Sequence, residues 1–183
     1  MSVRVALIVG SLRKGSFTRA IGMAIKDLAA DRLDLVPIEI GDLPLYDPDL
    51  EENVPAAWAR FREAVSGTQA VLFATPEYNR SVPGALKNAL DVGSRPYGHS
   101  VWSGKPAAIV SVSPGAIGAF GANHHLRQSL VFLDMPTLQQ PEAYVGNVQG
   151  LLDDEGRLAN DGTRDFLKTF ANTFADWIEK TKR

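Results

Sequence analysis

Residues 3–19 read VRVALIVGSLRKGSFTR, and the fold is decided in this stretch. Val3 to Val9 is an apolar run rich in Val and Ile, closed by Gly10, as expected of a strand buried on both faces. From Phe17 onward, apolar residues recur at Ala20, Ile21, Ala24, Ile25 and Leu28, which is the spacing of one face of a helix. A short polar turn joins the two. Buried strand, tight turn and helix together form the first half of a strand–helix–strand unit.

The same alternation continues outward. Leu33–Ile38 reads as a second strand, and residues 42–53, acidic and interrupted by Pro44 and Pro48, as a loop. Trp58, Phe61 and Val65 mark one face of a second helix. Residues 70–74 form a third buried strand stopped by Pro76, and Ala85, Leu86, Ala89 and Leu90 mark a third helix. Residues 95–105 are a loop punctuated by Pro and Gly. Ala107–Val112 is a fourth strand, Leu126, Leu130 and Leu133 mark a fourth helix, and a short fifth strand falls within 136–145. Residues 150–162 are acidic and turn-rich. Phe166, Phe170, Phe174, Trp177 and Ile178 mark a closing helix. Strands alternating with helices predict an α/β three-layer sandwich, a parallel sheet with helices on both faces. Five strands suit the flavodoxin-like order 2-1-3-4-5. With 183 residues, no repeat and no shift in composition, the chain is expected to form a single domain over 1–183.

Composition narrows the function. A net charge of -2 gives no electrostatic reason to expect nucleic acid or an anionic membrane as partner. The absence of cysteine removes disulfides, thiol catalysis and iron–sulfur ligation together. The amino terminus enters a strand pattern directly, without the hydrophobic stretch of a signal peptide, and no apolar run is long enough to span a bilayer. A cytoplasmic location is the expectation.

In open α/β sheets ligands bind beyond the carboxyl ends of the strands, so the turns after strands one, three and four are the candidate site. The first turn, Gly10 to Arg19, opens a helix whose free N–H groups and partial positive charge suit an anion. Ser11, Ser16 and Thr18 add hydroxyls, and Arg13 adds a planar, permanently charged fork. A phosphate monoester fits this set; equally, Ser16 or Thr18 could simply cap the helix. The turn is not a Walker A loop, because Ser16-Phe17 stands where Lys-Ser/Thr is required, and G-x-G-x-x-G is absent.

The second turn, Thr75 to Gly84, places a carboxylate, a phenol and an amide (Glu77, Tyr78, Asn79) between Pro76 and Pro83, groups able to read a flat heterocycle. The third, Ser111 to Gly121, has Gly115, Gly118 and Gly121 ahead of a helix, which allows a backbone to approach a ligand closely. Ser113 is not a nucleophile elbow, since Ser111 occupies the place of the first glycine. His124 and His125 are adjacent on a helix and point apart, and no metal motif is present.

Taken together the turns resemble the NADPH-dependent FMN reductase family, the flavodoxin-like group that includes bacterial quinone and chromate reductases. The resemblance rests on Gly10-Ser11-Leu12-Arg13-Lys14-Gly15-Ser16, Pro76-Glu77-Tyr78-Asn79 with Ser81, residues 83–91, and Ser113-Pro114-Gly115 with Gly118. Gly104-Lys105-Pro106, His125-Leu126-Arg127 and Pro141-Glu142 extend it, so that it spans residues 3–145. Thr18 stands where asparagine is common, Val92 where tryptophan often follows the helix aspartate, and Asn123-His124-His125 replaces a frequent glutamine-bearing segment.

The resemblance implies non-covalent FMN, with NADPH or NADH as electron donor. Ser11, Arg13, Ser16 and Thr18 would hold its phosphate, with Phe17 beside them as a further cofactor-binding residue. Pro76, Glu77, Tyr78 and Asn79 would hold the ring, and Ser113, Pro114 and Gly115 would line the ring's other edge. Arg80, Tyr97 and Trp102 are candidates for the edge of a substrate pocket. The implied activity is two-electron, ping-pong reduction of quinones or similar small acceptors (chromate, azo compounds, free flavin) by a homodimer or a dimer of dimers. The alternatives are a flavodoxin-type electron carrier and an FMN-binding regulatory module without NAD(P)H turnover. A serine hydrolase is a more distant third.

Overall fold

The computed structural model describes residues 2–181. Five parallel strands, β1 (Val3–Val9), β2 (Leu33–Ile38), β3 (Ala70–Thr75), β4 (Ala107–Val112) and β5 (Ala143–Val145), lie in the order β2-β1-β3-β4-β5. The helices are α1 (Phe17–Leu28), α2 (Ala56–Ser66), α3 (Gly84–Gly93), α4 (Phe120–Phe132) and α5 (Asp161–Thr181).

β3 and β4 are buried along their whole length, so hydropathy alone does not tell which side each residue faces. The period-2 geometry of a strand does. Val5, Leu7, Leu72, Ala74 and Val110 pack with Ile21 and Ile25 of α1 and with Phe170, Phe174 and Ile178 of α5. Ala6, Ile8, Val71, Phe73 and Ile109 pack on the opposite side with Trp58 and Phe61 of α2, Leu86 of α3 and Leu126 and Leu130 of α4. The three-layer arrangement read from the sequence is the observed one.

Three local expectations are corrected. The loop at 42–53 contains a short 3-10 helix, Pro48–Asn53, opened by Asp47 accepting from the Asp49 N–H at 3.0 Å. Proline at its first position suits such a start. The fifth strand is reduced to Ala143–Val145, and Thr137 makes an isolated bridge to Ala107. Trp102 is a core residue, fully buried against Phe61 and Phe73 with ring centroids 5.9 Å from each, and its indole N–H donates to the Leu90 carbonyl at 3.0 Å. Segment 94–106 leads from the end of α3 to the amino end of β4, where the Pro106 carbonyl accepts from Val71 N–H. Tyr97 and Trp102 therefore belong to the side of the sheet opposite the strand carboxyl ends. Val92, one of the departures from the family pattern, is also buried in this core.

Candidate functional site

The turns after β1, β3 and β4 enclose a cavity of about 320 Å³, within the range of small-molecule pockets. Its lining is Ser11, Arg13, Ser16, Phe17, Thr18, Pro76, Glu77, Tyr78, Ser113 and Pro114, to which the structure adds Val112. Asn79 and Gly115 stand just outside. Asn79 occupies a turn tip at φ 51°, and the Gly115 carbonyl is spent on the N–H groups of Gly118 (3.3 Å) and Asn147 (3.2 Å). Neither Tyr97 nor Trp102 lines the cavity, for the topological reason above, and Arg80 lies two residues beyond the wall.

Each wall has a local cause. Ser16 is the N-cap of α1, and its hydroxyl oxygen accepts from Arg19 N–H at 3.1 Å. Accepting that bond leaves the Ser16 O–H free to donate, so cap and ligand roles coexist in one side chain. Ser11 and Thr18 are only 5% and 3% exposed and line the cavity, and their hydroxyls have no hydrogen-bond partner among the described residues. Nearly buried hydroxyls are ordinarily paired; here the open direction is the cavity. Arg13 donates to the Gly15 carbonyl and lies 4.6 Å from the Phe17 ring centroid, which holds its fork at the mouth with further N–H groups to spare. Free hydroxyls, a tethered cation and an α1 N-terminus with no acidic residue in its first turn are the donor set a dianionic phosphate needs. The residues fit FMN at its phosphate end.

The second wall is a miniature hairpin. Tyr78 N–H and Ser81 N–H donate to each other's carbonyls at 3.1 and 3.0 Å, and the two residues between, Asn79 and Arg80, are both left-handed (φ 51° and 64°). That is the geometry of a two-residue hairpin turn in which both central residues take positive φ. Glu77 lines the cavity and is also tied to the neighbouring helix. Its Oε2 accepts from Ala122 N–H at 3.0 Å and so supplies the cap that α4, entered through left-handed Ala119, lacks locally. A Cβ on Gly121 would lie 2.9 Å from that carboxylate oxygen, which accounts for glycine there. Ser81 meets His125 Nδ1 at 3.0 Å, and Pro83 is the N-cap of α3.

The third wall is fastened to β5. Ser113 N–H donates to the Val145 carbonyl at 3.0 Å, and Val148 N–H to the Ser113 carbonyl at 3.3 Å. Behind it, fully buried Ser111 donates to the Gly118 carbonyl at 2.7 Å and accepts from Asn123, whose amide oxygen in turn accepts from Arg127 at 3.0 Å. Sequence reading missed this network, and only a polar pair inside an apolar strand and helix hinted at it. Beside it His124 contacts the Tyr144 hydroxyl at 3.1 Å, and burial, reinforced by Glu142, pushes the Tyr144 phenol up to about 12.

The fold is flavodoxin-like, and its cavity is walled by the turns after β1, β3 and β4. The NADPH-dependent FMN reductase profile matches residues 3–150, and the chain belongs to that family. It is 62% identical over 176 residues to a quinone reductase of Pseudomonas putida, covering 96% of this chain and 94% of that one. It is 41% identical to a 2-hydroxy-1,4-benzoquinone reductase of a Burkholderia species, covering 97% of each chain. Among solved structures it is similar to FerB, a flavoenzyme NAD(P)H:(acceptor) oxidoreductase of Paracoccus denitrificans, at a TM-score of 0.94 and 40% identity, covering 99% of this chain and 100% of that one. The chain is accordingly an enzyme that uses FMN with NAD(P)H as electron donor.

Proposed function

We propose that this enzyme reduces quinones, and that the cavity between the first, second and third turns is where FMN sits. The observation that carries the reading is the pair of nearly buried, unbonded hydroxyls of Ser11 and Thr18 beside Arg13, in the same cavity as the 76–78 and 112–114 walls. When bound, FMN supplies the two-electron chemistry. Ser11, Ser16 and Thr18 donate to its phosphate, and Arg13 offsets the charge. Pro76, Glu77 and Tyr78 support the ring, Glu77 by holding its turn against α4. Ser113 and Pro114 close the other edge. Quinones head the acceptor classes because the similar P. putida and Burkholderia chains carry quinone-reductase names. Chromate, azo compounds and free flavin are the acceptors to rank against them. Donor and acceptor would use one cavity in turn, giving parallel double-reciprocal lines. No helix of the described residues is long and apolar enough to cross a membrane, in keeping with work in the cytoplasm. Exposed Val131 and Phe132 on α4 suit burial in a homodimer or dimer of dimers.

The test is an anaerobic titration of the FMN-supplemented protein followed in the flavin bands. Bleaching by about one equivalent of NADPH, then recovery on adding a quinone, is the expected result. Bound flavin that neither NADPH nor NADH bleaches would favour a carrier or sensor, and no bound flavin would end the reading. Arg13→Ala is expected to keep the fold and to weaken FMN binding by roughly tenfold or more, as loss of a charged hydrogen bond does. Fluorescence titration reads this directly, and an unchanged affinity would remove Arg13 from the site.

A further inference from the structure

We propose that Arg80 is a donor-binding residue whose guanidinium receives a phosphate group of NAD(P)H. The proposal rests on the cavity of the three turns being the flavin site.

Arg80 is held in an unfavourable place. It is the second central residue of the 78–81 hairpin, at φ 64° directly after Asn79 at φ 51°. Turns of this hand favour glycine at that position, because any Cβ there crowds the backbone. Nothing in the packing requires a long side chain, since the Arg80 side chain is 80% exposed. Its ion pair with Glu77 is 3.8 Å long, well beyond a charge-assisted hydrogen bond. The Glu77 carboxylate is only 16% exposed and already accepts from Ala122 N–H. The guanidinium is thus anchored by a rigid hairpin, kept beside the Pro76–Tyr78 wall, and left with its donors uncommitted.

Neighbouring arginines are less available. Arg19 is bidentate on Glu39, at 2.8 and 3.0 Å, and Arg13 is tied to Gly15 and Phe17 at the proposed flavin phosphate end. The donor of this family must nevertheless bring a pyrophosphate, and in NADPH a 2′-phosphate, to the rim of the cavity. A planar fork suits such oxygens better than a point charge. Strained residues that persist without a packing reason cluster at ligand clamps.

Arg80→Gly separates strain from function, because glycine accepts this backbone and removes the cation. In FMN-loaded enzyme, the dissociation constants of NADP⁺ and NAD⁺ are measured by calorimetry, FMN affinity by fluorescence, and the melting temperature by circular dichroism. The variant should bind dinucleotide about tenfold more weakly, the size of one lost charged contact. FMN affinity should be unchanged and the melting temperature no lower. Arg80→Lys should recover part of the loss. A loss confined to NADP⁺ would identify the 2′-phosphate as the group read, and an equal loss for both the pyrophosphate. Unchanged dinucleotide affinity in FMN-loaded Arg80→Gly would overturn the proposal. So would a lowered melting temperature. Failure of the parent protein to take up FMN would remove the flavin-site reading, and this proposal with it.

Discussion

Replacing Trp102 with alanine is expected to cost about 3–5 kcal/mol of folding free energy, the largest single-residue effect on stability anticipated here, and to leave FMN affinity unchanged. The ring is fully buried between Phe61 of α2 and Phe73 of β3. It also lies against Gly93, where an added Cβ would come within 2.6 Å of three indole atoms. Truncation leaves a cavity that α2, α3 and the sheet cannot close together. The Leu90 carbonyl loses the indole N–H but keeps the Ser94 N–H at 3.0 Å, so the cost is one of packing rather than of an orphaned acceptor. Against the usual margin of about 5–15 kcal/mol, the variant should unfold at much lower urea. Trp102→Phe, which refills most of the space, should recover a large part of the loss. Urea titration and flavin fluorescence on the folded fraction give the two readouts. A variant of normal stability that loses donor or acceptor binding would return Trp102 to the pocket.

Gly146→Ala is expected to damage fold and cavity together. A Cβ at Gly146 would sit 2.4 Å from the Ala116 carbonyl oxygen, 2.8 Å from its carbon and 3.0 Å from the Gly115 oxygen. All three are backbone atoms, so no side-chain rotation relieves the clash. The turn after β4 must lift from β5, straining the bonds from Asn147 N–H to Gly115 and from Val148 N–H to Ser113. Overpacking of this kind typically costs about 1–3 kcal/mol, and here it displaces the wall formed by Val112, Ser113 and Pro114. FMN affinity should fall by about tenfold or more, with each tenfold step corresponding to 1.4 kcal/mol. Gly150→Ala, where an added Cβ meets nothing within 4 Å, is the control and should fall within about 0.5 kcal/mol of the parent. If Gly146→Ala binds FMN normally, the third turn is not a wall of the flavin site.

The two substitutions mark where sequence reading reached its limit. Residues 3–19 disclosed a strand, a turn and a helix because each follows from local rules: apolar continuity, helical periodicity and the unpaired N–H groups of a helix start. The donors of the first turn were legible for the same reason, since Ser11, Arg13, Ser16 and Thr18 lie within one short segment and converge whatever the rest of the chain does. The resemblance of the turns then supplied the family, which the comparisons establish. Tyr97 and Trp102 looked like pocket residues because a loop rich in Pro, Gly and aromatics does not reveal which end of the sheet it occupies. The capping contact of Glu77 with Ala122 was not legible, because the two residues are far apart in sequence. The Ser111–Asn123–Arg127 network was hidden likewise. Strand and helix identity depends on neighbours along the chain, and the sequence determined it. Which distant side chains meet depends on strand order and on which face each residue takes, and only the tertiary structure decided that.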